Sequence, residues 1–282
     1  MKLSAPALRY FGGKFRIANW IIGHFPTHTT YCEPFGGAAS VLLQKDSSYL
    51  EIYNDLDLTV VTFFKMMRER PDDLIRAIEL TPYSRHEYAL SHEVCDDELE
   101  TARRVYIRCW QGYGAKQVHS GWRFQITRAR GLPLHGDWGR IDHLHQIAAR
   151  FRKVQIENDD ALKVIERYDS QETLFYIDPP YKGDKRARET KRYIHEMMTE
   201  EAHSKLAELV RSIKGMAIVS GFESDLYDRL FKGWQKSAYR TRNNRRKSIL
   251  EFVWISPNAQ KRMPSLFQFN QEKGETHEIA PI

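Results

Sequence analysis

The stretch Leu174-Phe175-Tyr176-Ile177-Asp178-Pro179-Pro180-Tyr181 decides the predicted fold. Its four apolar residues suit a buried parallel strand, although so short a run does not by itself exclude a helix. The two prolines end the strand, because neither can donate a hydrogen bond to a neighbouring strand. Asp178 then lies at the carboxyl edge of a sheet, where open α/β folds bind ligands. A plain turn with a satisfied carboxylate is the alternative, and other parts of the chain decide between them.

The composition is ordinary for a soluble protein. Hydrophobic residues make up 41% of the 282 residues and charged residues 28%, which suits one large domain or a core domain with an insertion. No apolar run has the length of a membrane span and no secretory leader is evident, so we expect a cytoplasmic protein. The three cysteines show no CxxC spacing, which argues against a disulfide framework and a cysteine-rich zinc site. We expect no metal.

Positive charge is concentrated in three segments. The formal net charge is +6, a moderate signal of nucleic-acid binding. Residues 121–130 interleave aromatic side chains with arginines, while residues 182–192 and 240–247 are rich in lysine and arginine. Each segment alone fits a solvated loop, but the three together favour a polyanionic partner.

Two glycine pairs precede predicted helices. Gly12 and Gly13 stand before Lys14, where backbone can approach a ligand and where a lysine near a helix start is a weak functional hint. The alternative for Lys14 is a surface lysine. Gly36 and Gly37 predict a tight turn that is followed by a helix. This second turn is neither a GxGxxG fingerprint nor a P-loop, so phosphate binding is not predicted.

A second strand is predicted at residues 50–55 and ends in Asp55. A carboxylate about twenty residues after the glycines can hydrogen-bond a ribose diol. Alternatively, Asp55 caps the helix predicted at 58–68, and the two roles are compatible.

The alternation of strands and helices is interrupted between about residues 72 and 150. Helices near 72–80 and 97–111, with a glycine-rich hairpin or loop at 112–140, predict an inserted module. Alternation then returns, with strands predicted at 154–156, 174–178 and 216–220 and a late antiparallel hairpin of 236–241 and 249–255.

Four of these stretches together resemble the Dam-like (D12 class, alpha group) DNA adenine-N6 methyltransferase family. They are Arg-Tyr-Phe-Gly-Gly-Lys at 9–14, Glu-Pro-Phe-Gly-Gly-Ala-Ala-Ser at 33–40, Asn54-Asp55 and Asp-Pro-Pro-Tyr at 178–181. The stretches follow the order of that family, and their framework spans roughly residues 8–256. The last motif also occurs in some RNA guanine-N2 methyltransferases, but the two glycine motifs together are much more specific.

The resemblance implies a fold, a domain organisation and a cofactor. The implied fold is α/β, a Rossmann-like S-adenosylmethionine-dependent methyltransferase fold with a mixed seven-stranded sheet and helices on both faces. The implied methyl donor is S-adenosyl-L-methionine, with S-adenosyl-L-homocysteine as the product. The implied domains are a catalytic domain of residues 1–64 and 151–256, a helical and hairpin target-recognition insertion of residues 65–150, and a polar tail of residues 257–282.

The resemblance also implies the roles of individual residues. Tyr10 and Lys14 are expected by the methionine end of the cofactor, and Asp55 at its ribose. Asp159 or Asp160 is expected at the cofactor adenine, with no choice between the two. The full set of expected cofactor residues is Tyr10, Gly13, Lys14, Glu33, Pro34, Phe35, Gly36, Gly37, Asp55, Asp159, Asp160 and Asp178.

The expected catalytic residues are Asp178, Pro179, Pro180 and Tyr181. The exocyclic amine of adenine is a poor nucleophile, because its lone pair is conjugated with the ring. The Asp178 carboxylate and the Pro179 carbonyl would accept its two N–H hydrogen bonds and favour a tetrahedral nitrogen, so that the methyl passes directly from sulfonium to nitrogen. Such positioning and electrostatic effects are worth several kcal/mol. Tyr181 would stack on the adenine after it has left the DNA helix.

Double-stranded DNA is the partner that the resemblance implies. We expect the protein to be a monomer or weak dimer. We also expect it to be encoded by a bacterium or phage and to associate with the nucleoid through DNA. Residues 121–133 do not carry the pattern of family members that read GATC, so a different or relaxed site is expected. Contacts with phosphate are the default for basic residues in such interfaces. The DNA-contact candidates are Arg123, Arg128, Arg130, Lys185, Arg188 and Arg245.

Alternatives to the adenine reaction are an RNA guanine-N2 methyltransferase and a DNA cytosine-N4 methyltransferase. A small-molecule or protein methyltransferase is disfavoured by the basic loops and the inserted module. The last alternative is a non-catalytic DNA-binding relative. The acid and the aromatic ring of the Asp-Pro-Pro-Tyr motif speak against the last. No nuclease motif is convincing, so the protein is expected to modify DNA without cutting it.

Overall fold

The computed structural model describes residues 3–113, 121–126, 134–180, 199–242 and 248–263. In these ranges the chain forms one seven-stranded sheet in the order β3-β2-β1-β4-β5-β7-β6. The strands are β1 (Thr30–Glu33), β2 (Leu50–Asn54), β3 (Val154–Glu157), β4 (Thr173–Ile177), β5 (Met216–Phe222), β6 (Gln235–Arg242) and β7 (Ser248–Ile255).

The sheet is mixed. Neighbouring strands from β3 to β5 pair in parallel, whereas β7 is antiparallel to β5 and to β6. In the centre, Cys32 of β1 lies opposite Ile52 of β2 and Phe175 of β4. All five residues of β4 are buried, as expected for a parallel strand with both faces covered. The predicted α/β methyltransferase fold with its mixed seven-stranded sheet is therefore confirmed.

Helices cover both faces of the sheet. They are α1 (Ala18–Ile22), α2 (Leu58–Glu69), α3 (Pro71–Leu80), α4 (Arg85–Leu90), α5 (Glu98–Gln111), α6 (Leu134–Trp138), α7 (His143–Phe151), α8 (Ala161–Arg167), α9 (Glu200–Ser212), α10 (Asp225–Leu230) and α11 (Pro257–Lys261).

Local sequence explains where several helices begin. Asp57 accepts a hydrogen bond from the Thr59 amide at the start of α2, and Asp97 caps α5 in the same way. Thr199 caps α9 by accepting from the Ala202 amide. Each cap satisfies an amide that would otherwise have no partner at a helix start.

Successive strand residues point into two hydrophobic clusters, one on each face. Tyr31, Tyr53 and Tyr176 belong to the larger cluster, together with side chains of α2, α3, α5 and α7. Cys32 and Phe175 belong to the other, with side chains of α8, α9 and α10. The helices α3, α5 and α7 fall in the segment that the sequence assigns to an insertion, yet they share one core with the sheet.

Two predicted features differ from the structure. The helix expected after the Gly36-Gly37 turn is absent from the described residues, because residues 40–44 form hydrogen-bonded turns and Ala39 has a φ of 51°, which an α-helix does not accept. Residues 257–261, assigned from the sequence to the polar tail, form α11 with Ala259 buried.

The three cysteines, all within the described ranges, are free thiols. No helix in the described part of the chain has the length and apolar character needed to cross a membrane.

Candidate active site

A cleft of about 610 Å³ opens at the carboxyl ends of the central strands. From β1 the sheet extends to β2 and β3 on one side and to β4 and β5 on the other, so β1 and β4 flank the point where the strand order reverses. Ligands of open α/β sheets bind in the crevice at this point. The predicted site residues that line the cleft are Tyr10, Gly13, Lys14, Glu33, Pro34, Phe35, Gly36, Gly37, Asp55, Asp160, Asp178, Pro179 and Pro180.

Asp178 follows β4 directly and receives two polar contacts on the same oxygen. The Lys14 ammonium lies 3.0 Å from Asp178 Oδ1, and the Ser220 hydroxyl donates to Oδ1 at 2.8 Å. Lys14 is only 4% exposed and also donates to the Gly12 carbonyl at 2.9 Å. The alternative of a surface lysine is therefore wrong, and Lys14 is a buried partner of the Asp178 carboxylate.

Charge around Lys14 balances the effect of its burial. Burial alone would lower the pKa of Lys14, but the Asp178 and Glu251 carboxylates raise it, and the net effect is a raised pKa. Burial raises the pKa of Glu251, on β7, to about 7, although Lys14 opposes this. Lys14 therefore stays protonated, as a fixed positive charge beside the cleft.

The turn after β1 has no room for a side chain at Gly36. A Cβ there would lie 2.2 Å from the Tyr53 ring and 2.9 Å from the Asn54 carbonyl. The Gly36 amide donates to that carbonyl at 2.7 Å, and Gly37 adopts a φ of 47°. The predicted tight turn is confirmed, and its two glycines let it pack directly against the end of β2.

Asn54 and Asp55 connect the loops that follow β1, β2 and β3. The fully buried Asn54 amide donates to the carbonyls of Pro34 and Asp159, at 2.8 and 3.0 Å, and accepts from the Asp159 amide at 2.9 Å. Asp55 accepts from the Gly37 amide at 2.8 Å. The helix-capping alternative for Asp55 is wrong, since Asp57 caps α2 and Asp55 instead accepts from the Asp57 amide.

The two acids after β3 are placed differently. The Asp160 side chain caps α8, and Asp160 lines the cleft. Asp159 is absent from the described lining, and its carboxylate binds Arg167 at 2.7 Å, which lowers the pKa of Asp159. The geometry therefore favours Asp160 over Asp159 as the residue that faces a ligand.

Glu33 ends β1 inside the cleft and is 2% exposed. One carboxyl oxygen accepts from the Tyr31 hydroxyl at 2.6 Å and from the Leu42 amide at 2.7 Å. Burial raises the pKa of Glu33 to about 8, against the opposite effect of these hydrogen bonds. Glu33 therefore holds the turn and carries little charge at neutral pH.

Sequence reasoning missed several lining residues. Among them, Asn54 stands within a recognised motif and so carried a signal. Ser220 was missed as well: it donates to Asp178 from outside the described lining, and its signal was a polar residue at the end of an apolar run. Ala202 and Lys205 carried none, because only the packing of α9 brings them to the cleft. The lining residues outside the predicted set are Phe11, Gly12, Ala38, Ser40, Val41, Asn54, Leu56, Asp57, Ala161, Leu162, Tyr176, Ala202 and Lys205.

Of the DNA-contact candidates, the structure describes Arg123. Its guanidinium lies 3.4 Å from Asp137, which also pairs with Arg9. Arg85 lies over the Trp122 ring at 4.7 Å, beside the half-exposed Phe124. Tyr181, Arg128, Arg130, Lys185, Arg188 and Arg245 lie outside the described residues. In the described part of the chain no cluster of His, Cys, Asp or Glu could hold a metal ion.

Comparison with known proteins gives the same assignment as the motifs. The chain is 20% identical over 260 residues to the type II methyltransferase M.MjaIII of Methanocaldococcus jannaschii, covering 81% of this chain and 88% of that protein. A 76-residue segment is 32% identical to a DNA adenine methylase of Serratia marcescens, covering 27% of this chain and 28% of that protein. The sequence model of one family, D12 class N6 adenine-specific DNA methyltransferase, matches residues 10–249. The chain belongs to this family of DNA-modifying enzymes.

Proposed function

We propose that the cleft binds S-adenosylmethionine and receives an adenine turned out of double-stranded DNA, whose N6 amine is methylated at a specific site. The observation that carries this proposal is the Lys14–Asp178 pair, which lies at the end of β4 within a cleft at the reversal point of the sheet. Family membership supplies the reaction, the methylation of adenine N6 in DNA.

The cleft suits this cofactor in volume and in chemistry. Its volume of about 610 Å³ is in the range of small-molecule sites. Among the described residues, the buried Ser40 hydroxyl in its lining has no hydrogen-bond partner, and a polar ligand would supply one. Phe35 and Leu162 offer apolar surface for a flat base, while Asp55 offers an acceptor for a diol. When bound, the cofactor supplies an electrophilic methyl group.

We assign roles in the cleft on this basis. Tyr10 and Lys14 bind the methionine end, and the turn from Glu33 to Gly37 encloses the middle of the cofactor. Asp55 binds the ribose hydroxyls, and Asp160 rather than Asp159 faces the cofactor adenine. Support comes from the lining of the cleft and from the hydrogen bond between Asp55 and the Gly37 amide, which fixes the carboxylate against the turn.

Asp178 and the Pro179 carbonyl act on the target amine. Both groups only accept hydrogen bonds, so they suit the two N–H groups of N6. Accepting both directs the nitrogen lone pair away from the plane of the base. Fixed acceptors in a site that a bound substrate closes to water act more strongly than in solution. Tyr181 stacks on the extruded base and offsets part of the few kcal/mol that base flipping costs.

The test is transfer of labelled methyl from S-adenosylmethionine to plasmid DNA, with nucleoside analysis and site mapping. N6-methyladenine at a defined motif is the expected product. Asp178→Asn should lose transfer while the affinity for S-adenosylmethionine, measured by calorimetry, falls less than transfer does. Turnover by Asp178→Asn near that of the unchanged protein would refute the role of Asp178, and methylcytosine or methylated RNA as the main product would refute the substrate.

A further inference from the structure

A buried row of hydroxyl groups leads to the Asp178 carboxylate. The Tyr176 hydroxyl on β4 lies 2.9 Å from Ser220 Oγ on β5, and Ser220 Oγ lies 2.8 Å from Asp178 Oδ1. Tyr176 is 3% exposed and Ser220 is 1% exposed. The strand register pairs Ile177 with Val219, so its next step places Asp178 beside Ser220.

The direction of these hydrogen bonds follows from their last member. A carboxylate only accepts, so the Ser220 hydroxyl donates its single proton to Asp178. Ser220 Oγ must then accept from Tyr176. Burial and the nearby Asp178 raise the pKa of Tyr176 well above its ordinary value, so its phenol keeps the proton that it donates. The row therefore runs in one direction, from Tyr176 through Ser220 to Asp178.

A serine at this position of β5 needs a reason. It follows the apolar run Met216–Val219 in a strand buried along most of its length. A hydroxyl taken out of water is unfavourable unless it finds a hydrogen bond, and alanine would fill nearly the same volume. Ser220 and Lys14 reach Asp178 Oδ1 from different parts of the fold, one from a strand and one from the loop before α1. Two donors on one oxygen fix the rotation of the whole carboxylate.

We propose that Ser220, supported by Tyr176, is a positioning residue for methyl transfer that sets the orientation of the Asp178 carboxylate towards the target amine. The inference rests on the proposed role of Asp178. Lys14 supplies a charge at the end of a long side chain, whereas Ser220 supplies a donor on a short side chain that is attached directly to the sheet. Without the hydroxyl the carboxylate keeps its charge and Lys14 but turns more freely.

The experiment compares Ser220→Ala, Tyr176→Phe and the double variant by single-turnover methyl transfer, with the affinities for S-adenosylmethionine and DNA measured separately. Ser220→Ala should slow transfer roughly 10- to 100-fold, since small displacements of a reacting group are costly. Tyr176→Phe keeps the serine donor and should slow transfer by roughly threefold to tenfold. Both affinities should stay within about threefold of those of the unchanged protein.

Two further comparisons separate positioning from general destabilisation. The double variant should be no slower than Ser220→Ala, because Tyr176 acts through Ser220. Ser256→Ala is the matched control: Ser256 is also buried, but its hydroxyl accepts from the Ala217 and Ala259 amides and lies outside the described lining of the cleft. Its transfer rate should not change.

An unchanged rate in Ser220→Ala would overturn the inference, as would additive effects in the double variant or a rate loss matched by lost affinity. If Asp178→Asn is inactive while Ser220→Ala is fully active, only this inference fails. If Asp178→Asn transfers methyl normally, the proposed role of Asp178 fails and the inference fails with it.

Discussion

Glu33 is an acid whose surroundings favour its protonated form. It ends β1 next to the cleft, and one oxygen accepts from Tyr31 and Leu42. Burial outweighs these hydrogen bonds and raises its pKa to about 8. A glutamine has the same shape and also offers a carbonyl oxygen, so it can replace the protonated acid without loss of these two bonds.

Glu33→Gln should change how stability depends on pH. The unfolded chain releases this proton near the ordinary pKa of 4.5 and the folded chain near 8, so the folded state binds more protons between these values. The Glu33 contribution to stability is therefore complete below the lower value and is lost as the pH rises towards the upper one. Glu33→Gln should gain stability relative to the unchanged protein between about pH 5 and pH 8, measured by thermal unfolding.

Glu51→Gln provides the contrasting pH dependence. Burial alone would raise the pKa of Glu51, but hydrogen bonds from Arg150 and Lys45 lower it below its ordinary value. The contribution of Glu51 to stability is therefore lost as the pH falls, which is the opposite sign to that of Glu33.

A difference in melting temperature for Glu33→Gln that does not change with pH would show that Glu33 ionises alike in the folded and unfolded chains.

At the scale of single residues, the motifs predicted which residues belong to the site but not which partners those residues contact. Lys14 was predicted as a functional residue, but its burial beside Asp178 depends on a partner far along the chain. Asp55 was correctly placed at the end of a strand, whereas its hydrogen bond to Gly37 needs the turn to pack on β2. Ser220 was read only as part of a strand, because its partner becomes visible only when β4 and β5 pair.

The turn that follows β1 and packs on the end of β2 shapes the side of the cleft that we propose to bind the cofactor. Gly36 and Gly37 are held by Asn54 and Asp55, and the Tyr53 hydroxyl donates to the Gly37 carbonyl at 2.7 Å. The turn therefore depends on close contact between backbones, and a small change in its shape should reach the ligand.

Gly36→Ala should displace this turn. The new Cβ would lie 2.2 Å from the Tyr53 ring, closer than real Cβ contacts allow, so the turn or the strand must move. We expect the affinity for S-adenosylmethionine to fall at least about tenfold, with a loss of stability of roughly 1–3 kcal/mol from overpacking. Calorimetric titration and urea unfolding measure the two effects.

Gly233→Ala is the control for the general cost of replacing a glycine. Gly233 has a φ of 87°, and a Cβ added there would have no atom within 4 Å, so its cost is backbone strain without a clash. It should lose about 1 kcal/mol of stability and keep its affinity for the cofactor. Equal affinities in Gly36→Ala and the unchanged protein would mean that this turn does not contact the ligand.

Helices and strands could be predicted where the residue pattern fits only one kind of secondary structure. The late hairpin of β6 and β7 and the helices α3 and α5 were predicted close to their observed bounds. The helix expected after Gly37 does not form. Val41, Leu42 and Leu43 are all buried, and such a run fits helix and turn equally, so the sequence pattern did not distinguish the two. The hydrogen bond from the Leu42 amide to Glu33 then favours the turn. A sequence pattern cannot anticipate a tertiary contact of this kind.

At the scale of the whole molecule, part of the positive charge is neutralised by ion pairs within the protein. The formal net charge is +6, yet many described arginines are paired within the protein, such as Arg103 with Glu87 and Glu100. Arg123 likewise pairs with Asp137. We therefore expect most of the electrostatic attraction to DNA to come from the basic segments 182–192 and 240–247.

Replacing Lys185 and Arg188 together by alanine should reduce the salt dependence of DNA binding. Each phosphate contact releases about one counterion, so the slope of log affinity against log salt should fall by about 1.8 for two contacts. Fluorescence anisotropy over a series of salt concentrations measures this slope. Arg262→Ala is the control, since Arg262 pairs with Glu172 outside the basic segments and outside residues 65–150. An unchanged slope in the double variant would exclude Lys185 and Arg188 from the interface.

The resemblance predicted the mixed seven-stranded sheet and the order of elements predicted an inserted segment, but neither predicted how that segment is held. Alternation that stops near residue 72 and resumes near 154 marks extra helices in the chain. The burial of α3, α5 and α7 in one cluster with α2 and the sheet follows from their packing, which periodicity does not encode. We propose that residues 65–150 recognise the DNA target. Because their helices share one core with the sheet, the recognition segment would keep a fixed position relative to the cleft.

The central position of β1 has a consequence for how the protein is made. One neighbour, β2, follows it closely in the chain, but the other, β4, begins only at Thr173. At about 5–20 residues per second, a ribosome needs roughly 7 to 28 s to make the chain between β1 and β4. Throughout that time one edge of β1 has no strand beside it, and open edges invite pairing with other chains. Nascent chains that stall before Thr173 should therefore depend on chaperones, and none of them contains Asp178, the residue proposed to act on the target amine.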